Sequence, residues 1–83
     1  MSISNAPGPV IAANAVSVWF DDAMLYICLA DGREIGTPLA WFPSLRDATS
    51  EQRGNWRLIG NGIGIHWEDL DEDISIEGVL RTR

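Results

Sequence analysis

From residue 16 onward the chain reads as short strands, with apolar and polar positions trading places every second residue. Val16, Val18 and Phe20 alternate with Ser17 and Trp19, and Asp21-Asp22-Ala23 makes a turn. Residues 24–30 are apolar on both parities: Leu25, Ile27 and Leu29 on one side, Met24, Tyr26 and Cys28 on the other. This pattern predicts a central strand covered on both faces. Asp31-Gly32 is a two-residue hairpin signal, because such a turn needs positive φ. Residues 33–37 return as a third strand that stops at Pro38. The three strands form an antiparallel meander.

The pattern then breaks. Trp41-Phe42-Pro43-Ser44-Leu45 is too aromatic to sit in solvent, and Pro43 interrupts any regular element, so a packed turn or one-turn helix is expected. Thr49, with Gln52 three residues on, has capping-box spacing, and Gly54 ends the short helix that follows. Residues 55–59 predict a fourth strand and Gly60-Asn61-Gly62 a tight turn. Ile63, Ile65 and Trp67 alternate with Gly64 and His66 as a fifth strand, and a last short helix starts near Ser75. The expected fold is a single small α+β domain over residues 16–83. It is a curved antiparallel sheet, meander plus second hairpin, with short helices on one side. Residues 1–15 are expected to be a flexible leader or edge segment, and its first nine residues are polar and small with two prolines.

Eighty-three residues allow one domain with a small core, which the four tryptophans are expected to help fill. A second copy would add burial, so a homodimer is a reasonable expectation. The chain carries twelve acidic residues against six basic ones, a formal net charge of −6, and its basic residues are all arginine. That balance opposes direct nucleic-acid binding. No stretch reaches the length of a membrane span. One cysteine excludes a disulfide framework, and the absence of a signal-peptide pattern points to the cytoplasm.

Candidate chemistry is sparse. Cys28 lies mid-strand in an apolar run, where cysteine acts as an inert hydrophobe. His66 is the only histidine and reads as a sheet residue, facing solvent or bonded to a turn. Asp69, Asp71 and Asp73 begin like a calcium loop, but Ile74 and Leu80 stand where that loop needs glycine and glutamate. Gly60 to Gly64 lacks the lysine and following helix of a phosphate loop. No nucleophile–base set is assembled, and no enzyme activity, metal or cofactor is expected. The acidic run over residues 68–77 holds six carboxylates and no base. A solvated surface is its ordinary explanation. Its functional explanation is partner binding by Glu68, Asp69, Leu70, Asp71, Glu72, Asp73, Ile74 and Glu77, with Leu70 and Ile74 as apolar anchors.

Ordered blocks along the chain resemble one family. They are Val18-Trp19-Phe20-Asp21-Asp22, Leu29-Ala30-Asp31-Gly32-Arg33-Glu34-Ile35, and Pro38-Leu39-Ala40-Trp41-Phe42-Pro43-Ser44-Leu45. Ala48 to Arg53, Asn55-Trp56, Gly62-Ile63-Gly64-Ile65-His66-Trp67 and the stretch from Leu70 to Leu80 continue them. Together they resemble the bacterial and phage family called domain of unknown function 2442. The resemblance implies a small α+β fold and no catalytic residues. It also implies a setting beside a second small domain, in the manner of a toxin–antitoxin pair. Some members carry a helix-turn-helix domain after this one.

Two functions follow as expectations. The first is a non-enzymatic, protein-binding regulatory module, antitoxin-like toward a neighbouring small toxin, whose partner presents a basic surface. The alternative is an acidic phage or mobile-element inhibitor of a host nucleic-acid-binding defence protein, in the manner of an anti-CRISPR.

Overall fold

The computed structural model describes residues 14–81. The α+β class holds, built as two three-stranded antiparallel sheets and three short helices. The first sheet is the expected meander: β1 (Ala15–Phe20), β2 (Met24–Leu29) and β3 (Glu34–Pro38), in that spatial order. A 3-10 turn (Leu39–Trp41), α1 (Pro43–Arg46) and α2 (Ser50–Gly54) lead out of it. The second sheet is also a meander: β4 (Trp56–Ile59), β5 (Gly64–Trp67) and β6 (Glu72–Ser75). A 3-10 turn (Glu68–Leu70) joins its last two strands, and α3 (Ile76–Arg81) follows directly.

The molecule differs from the expectation in that it has two sheets rather than one curved sheet, and the second is a meander rather than a hairpin. Its third strand lies inside the acidic run. The reason is visible in retrospect: Glu72, Ile74 and Ile76 point inward while Asp73, Ser75 and Glu77 point out. That is a strand period masked by carboxylates.

Both sheets turn their inner faces to one core. Leu25, Ile27, Leu45, Ile65 and Trp67 have no exposed surface. Each such side chain contributes roughly 1.5–3 kcal/mol relative to exposure. The indole of Trp67 ties the layers together. Phe20 meets it edge-on at 6.3 Å, and its Nε1–H donates to the Arg53 carbonyl at 2.9 Å. The Arg53 side chain lies over the Phe20 ring and donates to the carbonyls of Leu45 and Arg46 at the end of α1. Arg53 therefore closes the C-terminus of one helix from the last turn of the next.

Two details of β1 depart from simple alternation. Its pairing with β2 skips one residue between Ala15 and Ser17, so Val16 is the extra residue of a bulge. Ala15 and Val18 both face the core, and Val16 is left exposed. Residues 1–13 of the expected leader lie outside the described residues, but Ala15 is 1% exposed and belongs to the strand. Its backbone N–H donates to the Gly62 carbonyl at 2.7 Å, joining the first strand to the turn of the second sheet.

Helix α2 forms where its cap is. Thr49 Oγ1 accepts from the Gln52 N–H and Gln52 Oε1 accepts from the Thr49 N–H, so the capping box is complete. Pro43 stands at the start of α1, where it removes no hydrogen bond.

Gly62 cannot carry a side chain. It has φ +99°, and a Cβ there would lie 2.1 Å from the Ala15 carbonyl oxygen. Gly62→Ala should cost at least about 2 kcal/mol in urea unfolding, from strain and the lost contact to β1. Gly32→Ala should cost less, because Gly32 has φ +95° but nothing within 4 Å of its Cβ position. Trp67→Ala should cost about 3–5 kcal/mol. That rivals the whole stability expected of a domain this size, so this variant should show no cooperative transition by near-UV circular dichroism.

Candidate functional site

The acidic run folds into a turn, a strand and a helix start, and each carboxylate has a distinct setting. Glu68 Oε1 lies 3.3 Å from Arg57 Nε and 3.5 Å from His66 Nε2. Asp69 accepts from Asn55 Nδ2 at 3.0 Å. Asp71 ends the 3-10 turn with φ 51°, a left-handed conformation that aspartate tolerates, and its side chain has no partner among the described residues. Glu72 accepts from the Ser44 hydroxyl at the start of α1. Asp73 contacts His66 Nδ1 across the strand pair, and Glu77 pairs with Arg81 one helical turn on at 3.0 Å.

The two apolar members play other parts. Ile74 is 3% exposed and lies in the core, and Leu70 packs against it from the side. Alternation along β6 sends Ile74 inward, so neither residue stands at the centre of an exposed surface as anchors must. The exposed face of the run is made of Glu68, Asp69, Asp71, Asp73 and Glu77.

His66 is half-buried and sits between Asp73 and Glu68, with Arg57 opposite it on β4. It is thus bonded to the strand β6 through Asp73 and also lies against the 3-10 turn through Glu68. This is a surface cluster on the outer side of the second sheet.

A second polar cluster covers the outer face of the first sheet, and composition alone gave no sign of it. Trp19 and Tyr26 stack with ring centres 4.1 Å apart, over the space left by Gly36. Trp19 Nε1–H donates to Glu34 Oε2 at 2.6 Å, and the Tyr26 hydroxyl donates to Asp21 Oδ2 at 2.9 Å. Cys28 faces this side, half-buried, with Sγ 3.4 Å from the same Glu34 oxygen. It is therefore not the core hydrophobe its apolar neighbours predicted: only one parity of β2 is fully buried. Trp19 and Trp41 are each about half exposed, at 47% and 50%, so two of the four tryptophans lie at the surface. The signal for this was present, since Trp19 has opposite parity to Val18.

Two cavities adjoin these surfaces. One, of ≈ 380 Å³, lies between the end of β1 and α2, beside Trp19, Asp21, Asp22, Ser50, Arg53 and Trp56. Arg53 already spends its donors on the α1 carbonyls, so it offers little to an anion there. The other, of ≈ 130 Å³, lies between the exposed ends of the two sheets and is lined by Thr37, Trp41, Phe42, Asp73, Ser75 and Val79, among others. Among the described residues, no group of three or more His, Cys, Asp or Glu side chains is placed to hold a metal ion. Nor is any helix there long and apolar enough to cross a membrane.

Fold and surface together define a small α+β module: two antiparallel meanders around one core, with an ordered acidic edge. The chain belongs to the family described as protein of unknown function (DUF2442), whose model matches residues 15–83. A crystal structure of a protein of unknown function from Rhodospirillum rubrum is similar, with a TM-score of 0.71 and 28% sequence identity. The similarity covers 84% of this chain and 87% of that one. No curated protein matches the chain.

The turn after β1 carries a pH dependence. Asp21 accepts from the Ala23 and Met24 backbone N–H groups and from the Tyr26 hydroxyl, which hold its carboxyl below the usual aspartate range. A lowered folded-state value means stability that is present above the ordinary value and lost as pH falls through the folded one. The same bond from Tyr26 to Asp21 raises the phenol, so its contribution is lost at the other end, above about pH 10. Asp21→Ala should therefore flatten the acid limb of the stability profile below about pH 4, measured as Tm against pH, beside a lower Tm at neutral pH.

Proposed function

We propose that this protein is a non-enzymatic binding module that docks its acidic edge on a partner protein with a basic surface. Its concrete form is an antitoxin-like regulator of a neighbouring small toxin. The observation that carries the reading is the way the fold treats the acidic run. Alternation along β6 draws Ile74 into the core and turns Asp73 outward, beside the exposed Asp69 and Asp71. The carboxylates are thereby gathered on one ordered edge instead of trailing as a solvated tail. A chain of net charge −6 adds a long-range attraction to any cationic partner. Half-exposed Trp41 near this edge is the residue type that most often anchors an interface.

The His66 cluster fits a structural part in this reading. Its Nδ1 and Nε2 both face carboxylates on the same sheet face, and neither cavity described above is lined by His66. The cluster fixes the acidic edge against β5.

The structure also dictates which residues can test the idea. Glu72 and Asp73 hold Ser44 and His66, so neutralising them would disturb the fold along with the charge. Among the described residues Asp71 has no side-chain partner, and Asp69 bonds only to the amide of Asn55. Asparagine at either place keeps the shape, and tolerates the left-handed backbone at Asp71. The partner is captured with tagged protein from host lysate at low and high salt, identified by mass spectrometry, then purified. The Asp69→Asn/Asp71→Asn variant should associate with it about three- to tenfold more slowly at low salt, with a similar dissociation rate and an unchanged Tm. Equal association rates for variant and wild type would overturn the electrostatic reading. A captured nucleic-acid-binding defence protein in place of a toxin would replace the antitoxin form with the inhibitor form.

A further inference from the structure

The ring of His66 lies between two carboxylates, and that arrangement cannot be satisfied in both charge states of an imidazole. His66 stands on the middle strand of the second sheet, and its side chain is only 14% exposed. Asp73, its register partner on β6, is the hydrogen-bond partner of Nδ1. Glu68, on the 3-10 turn that follows β5, brings Oε1 to 3.5 Å from Nε2. On the other side β4 contributes Arg57, the register partner of His66 there, whose Nε lies 3.3 Å from the same Glu68 oxygen. Among the described residues, these three are the charged groups that face the ring.

A protonated imidazole has two N–H donors, whereas a neutral one has one donor and one lone pair, and an ionised carboxylate only accepts. With both nitrogens turned to carboxylates, the imidazolium satisfies both and the neutral ring satisfies one. The other nitrogen then presents a lone pair to a negative oxygen, where the partial burial of the ring leaves little water to screen the two. Distance decides which contact yields. The Glu68 contact is longer than the usual N–H···O bond of about 2.7–3.2 Å, whereas Asp73 is within that reach. Glu68 also has Arg57 to turn to, and Asp73 has no second partner among the described residues. The last proton therefore stays on Nδ1. We infer that His66 is a proton-operated clasp: with both nitrogens protonated it draws Glu68 onto the second sheet, and loss of the Nε2 proton lets Glu68 go. Release changes the charge as well. With His66 protonated, the cluster sets two carboxylates against two cations, and with His66 neutral it carries one net negative charge beside the exposed Asp69 and Asp71. The clasp rests on the geometry of the cluster and not on the docking reading. Where the two meet, it makes the acidic edge more attractive to a cation as pH rises.

Nuclear magnetic resonance of the ¹³C,¹⁵N-labelled full chain tests the clasp between about pH 5 and 8, the interval in which an imidazole exchanges its proton. The ring ¹⁵N resonances read the charge and tautomer of His66, the chain's only histidine, and cross-relaxation from the ring protons reads which side chains lie against it. The neutral ring should carry its proton on Nδ1. Cross-relaxation to the Glu68 side chain should be lost as the ring loses its charge, while that to Asp73 stays, and the Glu68 carboxyl ¹³C shift should follow the midpoint of the ring. His66→Gln, which cannot titrate, should remove that transition from Glu68. A neutral ring protonated on Nε2 would overturn the inference. So would a Glu68 contact that persists unchanged through the titration of the ring, or a Glu68 transition that survives in His66→Gln. The first two outcomes are read on the wild-type chain, so the test does not depend on the variant folding. No readout involves a partner. Equal association rates for wild type and Asp69→Asn/Asp71→Asn would therefore remove the docking reading and leave the clasp, and a failed clasp would leave the docking reading as it stands.

Discussion

The buried indole of Trp67 is the constraint around which the rest of the molecule is arranged. An indole N–H taken out of water must find an acceptor, or its burial costs more than it returns. The acceptor is the Arg53 carbonyl, in the last turn of α2. That single bond fixes how far the second sheet stands from the helices that leave the first. The Arg53 side chain then reaches the exposed carbonyls of α1 and covers Phe20, whose edge meets Trp67. The result is a closed ring of contacts through both sheets and two helices that are too short to be stable alone.

The two sheets share a core but divide their outer faces by chemistry. The first presents stacked Trp19 and Tyr26, held at their polar tips by Glu34 and Asp21. The second presents His66 between carboxylates, with Arg57 alongside. Neither outer face is needed to bury the core, so neither cluster is explained by packing. Exposed ion pairs and hydrogen bonds of this kind add little stability. Their main effect is to hold side chains in one place.

Much of the architecture was legible in the sequence because local signals and tertiary demands agree. Asp31-Gly32 turns, Thr49 and Gln52 cap, and the alternation of Leu25, Ile27 and Leu29 marks the strand at the centre of the first sheet. The misses share a cause: side-chain identity at one position outweighed the period. Carboxylates hid the strand 72–75, although Ile74 and Ile76 keep its register. Tryptophan at 19 and 41 suggested core, although Trp19 sits on the outer parity of its strand. The bulge at Val16 could not be read, since no residue type there marks it and the bond beside it joins Ala15 to Gly62, two residues far apart in sequence. The candidate site was legible as a charged segment, while the split between its outward acids and inward isoleucine required the third dimension.

That split bears on how the acidic edge would work. A carboxylate bonded to arginine loses most of its field, whereas one bonded to a neutral donor keeps its charge and loses only its freedom. Glu68 and Glu77 are of the first kind, paired with Arg57 and Arg81. Asp69 and Glu72 are of the second, held by Asn55 and Ser44, and Asp71 is fixed at its backbone by the turn it ends. The net charge of the segment is thus concentrated on residues 69–73, where Asn55, Ser44 and His66 hold the carboxylates of Asp69, Glu72 and Asp73. Ordering side chains at an interface costs about 0.5–1.5 kcal/mol for each long one, so a patch already ordered binds with less to lose. A surface meant only for solubility has no use for that economy, since mobile carboxylates repel and hydrate as well as fixed ones. If the edge docks a partner as proposed, the neutral donor of Asn55 is the contact that orders an exposed carboxylate, Asp69, without cancelling its charge.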